Sequence, residues 1–248
     1  MRDYHVHTAY SADCEVPLDD MVKQAYNRGI RNLALTDHID FDLHEEGKFL
    51  YEERRHAIEK NRIQYPDMKI LCGVEIGIDI HDFDRVEQYL EEHPFDFKIM
   101  SLHSVRGHEL FEGAVLRKYS PEDMLKYYIE ELAIAVTGFK SYDVLGHFDY
   151  LRRYSEEIAA LDIRKMPFIY DAVLKQVIKD GKGIEINTSA NYYGDGLCYP
   201  VEALIHRYSE LGGVYATIGS DSHRTRTLGI NFEEADKLMQ RYGLRWRE

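Results

Sequence analysis

The chain has 248 residues, 44% of them apolar and 30% charged, the mix of an ordinary globular protein able to bury a large core without disulfides. A formal charge of −13 argues against extended nucleic-acid binding, which needs a basic field, but leaves room for a small anionic substrate where bound metal ions reverse the local sign. Cys14, Cys72 and Cys198 are far apart and form no C-x-x-C pair, which suits free thiols; with no apolar leader and no run of about 18 apolar residues, the chain reads as cytoplasmic with no membrane partner.

Along the chain, short apolar runs alternate with longer segments of helical spacing. The first run, Asp3 to Val6, precedes a helix opening near Pro17-Leu18-Asp19-Asp20 and stopping at Gly29. The second is Asn32 to Thr36, with a charged helix within Tyr51 to Tyr65. The third is Lys69 to Glu75, with a helix around Asp82 to Glu92. The fourth, Phe97 to Ser101, leads to a long helix with Ser120 as N-cap and Pro121 in its first position. The fifth is Val144 to His147, followed by a helix from Arg164 to Lys179. The sixth is Gly183 to Asn187, with a helix from Val201 to Leu211. The seventh is Val214 to Gly219, with a helix from Phe232 to Tyr242. Seven strand-then-helix units in order predict a parallel sheet, either an open sheet or a closed barrel.

The polar residues decide between these. The first run ends in His5 and His7, with Asp13 in the following loop; the second in Thr36-Asp37-His38; the third in Glu75. The fourth gives Ser101-Leu102-His103, the fifth His147 and Asp149, and the seventh Asp221 and His223, while the sixth ends in Asn187-Thr188-Ser189. A barrel gathers all these strand ends on the face where such folds place their active sites. Residues i and i+2 of a strand share a side, so His5 and His7 can address one metal together. Imidazole with carboxylate suits Zn²⁺, Mn²⁺ or Fe²⁺, and the lack of thiolates argues against a closed structural zinc site. Six histidines and three carboxylates exceed the needs of one ion and point to two or three, with Glu75 as the bridge. A lone histidine at a strand end is ordinarily a hydrogen-bonded structural residue, and His44, His56, His81, His93, His108 and His206 are read that way. Asp37 and Asp149 either orient the neighbouring histidine or close a turn.

This set, in this order, resembles the PHP (polymerase and histidinol phosphatase) family. The matching features are His5-x-His7 with Asp13, Thr36-Asp37-His38, Gly73-Val74-Glu75, His103, Gly146-His147-Phe148-Asp149 and Gly219-Ser220-Asp221-Ser222-His223. The length and the segment Gly146 to Arg152 resemble the histidinol-phosphatase branch. The resemblance implies an α/β fold, a distorted seven-stranded (β/α)7 TIM-like barrel formed by one domain over residues 1–248. It implies that His5, His7, Glu75 and Asp221 bind a first metal, that Glu75 bridges to a second held with His103 and His147, and that Asp13, His38 and His223 hold a third. Arg152 matches the family's phosphate-gripping arginine. A second arginine expected after the sixth strand is not found, and Tyr192 stands about where it would fall, offering one hydroxyl in place of a bidentate guanidinium.

The expected reaction is hydrolysis of a small phosphate monoester, L-histidinol phosphate foremost, by a hydroxide bridging two metals, with the general acid unassigned. The alternatives are another small phosphoesterase, a tyrosine phosphatase of the same family, and a metal-binding module without turnover. Composition and spacing leave the physiological metal and the oligomeric state open.

Overall fold

The computed structural model describes residues 1–41, 50–111, 113, 115–161, 163 and 166–247. His44, and the start expected at Arg164 for the fifth helix, lie outside the described residues.

A parallel sheet runs through the molecule in the order β1 (Arg2–Val6), β2 (Asn32–Leu35), β4 (Lys69–Gly77), β5 (Phe97–Ser101), β8 (Val144–Leu145), β9 (Gly183–Asn187), β10 (Tyr215–Gly219) and β11 (Arg245–Trp246), with β3 (His38–Asp40) paired to β4. The sheet curls into a distorted TIM-like barrel. Its exits are joined where Asp221 N–H donates to His5 C=O at 2.8 Å and His7 N–H donates to Ser222 C=O at 3.0 Å. The strand count differs from the expected seven in two places. β3 continues the register of β2 on β4, pairing His38 with Glu75 after Leu35 with Cys72, so it extends the second strand past an interruption at Thr36–Asp37. β11 is an added strand that pairs with the start of β10, where Trp246 packs on Tyr4 at 5.6 Å between ring centroids.

The helices follow from amphipathic spacing. α1 (Leu18–Asn27) buries Leu18, Met21, Val22 and Ala25, one face of a 3.6-residue period. With α2 (Tyr51–Gln64) it covers Leu33, Leu35, Ile70 and Cys72 on the outer face of the first strands. α3 (Phe83–Glu92) follows β4, and β6 (Ser104–Val105) with β7 (His108–Glu109) forms a hairpin after β5. In α4 (Pro121–Gly138), Ser120 accepts a hydrogen bond from Asp123 N–H, the N-cap its sequence predicts. The fifth helix is shorter than its spacing suggested: α5 (Glu156–Ala160) precedes α6 (Asp171–Lys179), itself led by a 3₁₀ turn over Pro167–Tyr170. α7 (Ser189–Tyr193) follows β9 directly, α8 (Glu202–Glu210) precedes β10, and α9 (Phe232–Arg241) precedes β11. Among the described residues no helix is long and apolar enough to cross a membrane.

The barrel interior changes character along its axis. Tyr4, Ala34, Phe97, Ile99 and Val144 pack together as an apolar plug at the strands' amino ends, with Trp246 against them. Beyond this plug the inward positions become His5, Glu75, Ser101 and Glu185, all buried. Charged groups in such a place need partners or ions.

Candidate active site

Glu75 is the hub of the carboxyl-end cluster. Its Oε2 lies 3.0 Å from His5 Nε2, 3.4 Å from His7 Nε2 and 3.1 Å from His38 Nδ1. Its Oε1 lies 2.8 Å from His147 Nε2 and 3.2 Å from His103 Nε2, and accepts a hydrogen bond from Ser101 Oγ at 2.7 Å. The register explains part of this. His38 is the parallel partner of Glu75, so adjacent strands set the two side chains on one face at the interstrand spacing. Asp221 Oδ1 lies 3.2 Å from His7 Nε2 and 3.6 Å from His5 Nε2. It reaches them from a left-handed backbone (φ +51°), costly for a non-glycine residue and maintained here by the bond from Asp221 N–H to His5. At the cavity mouth, Asp13 Oδ2 lies 2.9 Å from His223 Nε2 and 3.7 Å from His38 Nε2. All nine residues expected as ligands therefore converge.

Their donor atoms fall into compact groups: His5, His7 and Glu75; His5, His147 and Asp221; Glu75, His103 and His147; and His7, Asp13, His38 and His223. A divalent ion fits this donor set. His7 Nε2, His38 Nδ1 and His223 Nε2 are buried without a hydrogen bond, although each has a carboxylate oxygen within 3.2 Å. A cation shared between each nitrogen and its facing oxygen would satisfy both.

Electrostatics point the same way. Burial, with His223 and His38 close by, pushes the His7 pKa down to about 4, so this imidazole is neutral at pH 7 and keeps a lone pair that a cation could use. Burial also opposes charge on His38, but Glu75, Asp40 and Asp13 outweigh it and carry the pKa up to about 9. His5 and His103 are likewise raised against the penalty of burial, by Glu185 with Glu75 and by Glu75 with Asp40 respectively. A divalent ion binding there would have to compete with protons for these imidazole nitrogens.

Two residues the sequence reading did not single out complete the cluster. Glu185, on β9, accepts His147 N–H at 3.0 Å and lies 2.5 Å from His5 Nδ1, fixing the ring so that Nε2 faces Glu75. Gly219 makes room for this contact, since a Cβ there would fall 2.5 Å from Glu185 Oε1. Asp40, on β3, lies 2.8 Å from His103 Nδ1 and forms a further group with His38 and His103. Glu185→Gln keeps the shape but removes the anionic acceptor, so metal affinity should fall about 10- to 100-fold in a competition titration against a chelating indicator. An affinity within twofold of wild type would deny Glu185 this orienting role.

Asp37 and Asp149 do not hydrogen-bond their neighbouring histidines. Asp37 accepts from Thr8, Ser11 and Arg54, and Asp149 accepts from Arg152 Nε at 2.9 Å and Val201 N–H at 2.9 Å. Arg152 holds Asp149 through Nε and packs on the Tyr199 ring, with its Nη2 buried and without a hydrogen bond, while Arg153 lines the cavity. Tyr192 lines the rim, 40% exposed. His56, His81, His93, His108 and His206 join no metal-binding group among the described residues, and the three cysteines are buried free thiols.

The cluster opens into a cavity of about 1120 Å³, lined by Glu109, Leu110 and Phe111 at and after the hairpin and by Tyr150, Arg153 and Tyr193 after β8 and β9. That volume accommodates a small molecule. A family model described as the PHP domain matches residues 3–189. The chain belongs to the PHP-domain family. Among curated PHP relatives it is 28% identical to a probable histidinol-phosphatase of Clostridium acetobutylicum over 98% of this chain and 94% of that one. It is 29% identical to a histidinol-phosphatase of Lactococcus lactis over 97% of this chain and 91% of that one. The crystal structure of histidinol phosphate phosphatase from Lactococcus lactis, complexed with zinc, L-histidinol and phosphate, superposes with a TM-score of 0.88 at 25% identity, covering 98% of this chain and 94% of that chain. A putative histidinol phosphatase from Listeria monocytogenes shares the fold with a TM-score of 0.78 at 20% identity, over 94% of this chain and 99% of that one.

Proposed function

We propose that this protein is a metal-dependent phosphatase hydrolysing a small phosphate monoester, L-histidinol phosphate to L-histidinol and phosphate. The observation that carries the reading is the convergence of His5, His7, Asp13, His38, Glu75, His103, His147, Asp221 and His223 around one buried carboxylate at the floor of an open cavity. The histidinol-phosphatase relatives, matched over nearly their whole length, support the substrate.

Two or three divalent ions, Zn²⁺, Mn²⁺ or Fe²⁺, fit the donor groups. His5, His7, Glu75 and Asp221 would hold the first, Glu75, His103 and His147 the second, and Asp13, His38 and His223 the third. Bound there, the ions supply activation of water at neutral pH and positive charge for the phosphoryl oxygens. The chain's own residues do the rest. Glu185 and Asp40 hold His5 and His103 in register, Asp221 is aimed by its left-handed backbone, and Arg153 offers a guanidinium to a phosphoryl oxygen from the cavity wall. Arg153 is cushioned by the Tyr150, Tyr154 and Tyr193 rings and has no carboxylate partner among the described residues, so its charge remains available. The test is phosphate release from L-histidinol phosphate by protein loaded separately with Zn²⁺, Mn²⁺ and Fe²⁺. Chelator-sensitive turnover with at least one ion is the expected result. Turnover of generic phosphate esters alone would move the substrate assignment while keeping the chemistry.

A further inference from the structure

Of the strand-then-helix units read from the sequence, the one built on β9 supplies none of the converging metal-type donors, and it ends in Asn187-Thr188-Ser189. Ile184 and Ile186 enter the apolar core, so the alternation of a strand turns Glu185 and Asn187 to the other side, toward the cluster. Asn187 is wholly buried. Its Nδ2 donates to Glu185 Oε2 at 3.3 Å and to Asp221 Oδ2 at 3.3 Å. Its Oδ1 accepts from Ser189 N–H at 3.0 Å and from Ser189 Oγ at 2.6 Å.

A side-chain amide has two N–H donors and an oxygen with two lone pairs, and here all of them are used. Asn187 therefore differs from His7, His38 and His223, whose buried nitrogens lack a hydrogen bond. It links two carboxylates that act on one donor group. Glu185 orients His5, and Asp221 faces both His5 and His7. The two oxygens of Asp221 divide their partners. Oδ1 faces imidazole nitrogens, those of His7 at 3.2 Å and of His5 and His223 at 3.6 Å. Oδ2 faces the amide of Asn187 and, at 3.4 Å, Ser189 Oγ. A buried carboxylate oxygen without a donor is costly, and two of them share this one nitrogen. A third carboxylate at position 187 would add negative charge, and a hydroxyl has one hydrogen to give; the amide serves both neighbours and adds no charge.

The backbone beneath is held independently. Asn187 N–H donates to Tyr199 C=O at 2.8 Å, Tyr199 N–H donates to Asn187 C=O at 2.8 Å, and Thr188 N–H donates to Gly219 C=O at 2.8 Å. Shortening the side chain thus removes the bonds of the amide and leaves those of the strand.

We propose that Asn187 is a positioning residue for the first metal position. Its amide pins Asp221 by Oδ2, so that Oδ1 alone is presented to an ion shared with His5, His7 and Glu75, and it ties that carboxylate to Glu185 behind His5. This rests on the metal-dependent phosphatase reading above.

The test is titration of the metal-stripped full chain with Zn²⁺ against a chelating indicator, with circular dichroism confirming that each variant is folded. Asn187→Ala should weaken one ion about 10- to 100-fold, the usual cost of removing the partner behind a ligand, while the other ions bind as in wild type. Asn187→Thr suits a strand and keeps one donor, so it should weaken the same ion only several-fold. A merely structural role predicts a lower unfolding midpoint with Zn²⁺ affinities unchanged, or a uniform loss across every ion. Either result in Asn187→Ala, or in Asn187→Thr where the alanine variant does not fold, overturns the proposal and leaves the phosphatase reading intact. A wild-type chain that binds no Zn²⁺, Mn²⁺ or Fe²⁺ and hydrolyses no phosphomonoester overturns both.

Discussion

Glu75→Gln should yield a folded protein that binds fewer divalent ions and turns over its phosphoester on the order of 10³-fold more slowly. The geometry makes this the most damaging single change at the site. One oxygen of Glu75 faces His5, His7 and His38, and the other faces His103 and His147, so the carboxylate is the shared wall of two donor groups. Glutamine keeps the volume and the bond from Ser101 Oγ at one end, but it removes the negative charge and turns an amide N–H₂ toward imidazole nitrogens. Several kcal/mol of charge stabilisation are lost with the ions, which sets the magnitude. Asp13→Asn provides the contrast. Its side chain is 57% exposed at the cavity mouth and, among the described residues, its ion pairs are with His223 and His38, so the outer donor group alone should weaken. Elemental analysis alongside phosphate release separates the two. Full metal content with activity within tenfold of wild type in Glu75→Gln would remove Glu75 from its bridging place.

What was legible in the sequence is what depends on local pattern. The strand ends could be read because short apolar runs stop at His, Asp or Glu, and a barrel rim gathers such ends whatever the connecting loops do. The cap at Ser120 and Pro121 is written in four consecutive residues, and the structure reproduces it. The residues missed depend on contacts across the barrel or on angles that spacing does not encode. Glu185 lies between Ile184 and Ile186 in a fully buried strand, and a carboxylate in such a run was the available signal that it faces other polar groups. Asp40 repeats with His38 the i, i+2 spacing that marked His5 and His7, but only the continued pairing of β3 with β4 places it in the cluster. Arg152 and Arg153 are neighbours in a 3₁₀ turn, where successive side chains point about 120° apart. One must turn inward to Asp149 and the other toward the cavity, and sequence spacing cannot assign which. β11 is two residues long, and it combines pairing with β10 and packing of Trp246 on Tyr4, contacts far apart in sequence that no local pattern encodes.

Arg54→Met should destabilise the metal-free protein by about 3–5 kcal/mol, the cost of leaving one member of a buried ion pair alone. Arg54 belongs to a helix half of whose residues are charged, yet its side chain is fully buried. Its Nε donates to Asp37 Oδ2 at 2.6 Å, and its Nη2 donates to the carbonyls of Leu35 at 2.6 Å and Gly73 at 2.9 Å. The other oxygen of Asp37 accepts from Thr8 N–H at 2.5 Å, Thr8 Oγ1 at 2.9 Å and Ser11 Oγ at 3.2 Å, and Ser11 Oγ lies 3.0 Å from His7 Nδ1. One guanidinium thus ties α2 to the end of β2 and the middle of β4 and, through Asp37 and Ser11, to His7 of the buried cluster. Burial alone would raise the Asp37 pKa, but Arg54 and then His7 outweigh it and hold the carboxyl below its ordinary value. A depressed folded value means that this contribution to stability is complete above an unfolded pKa of about 3.9 and is lost as pH falls through the lower folded value. Chemical denaturation at neutral pH measures the predicted loss, and a second variant identifies its cause. Arg54→Met combined with Asp37→Asn removes the stranded charge, so the double variant should be less destabilised than the sum of the two single changes by more than about 1 kcal/mol. Simple additivity, or a loss below about 1 kcal/mol for Arg54→Met, would show that solvent already satisfies Asp37 and that α2 is held by its apolar face alone.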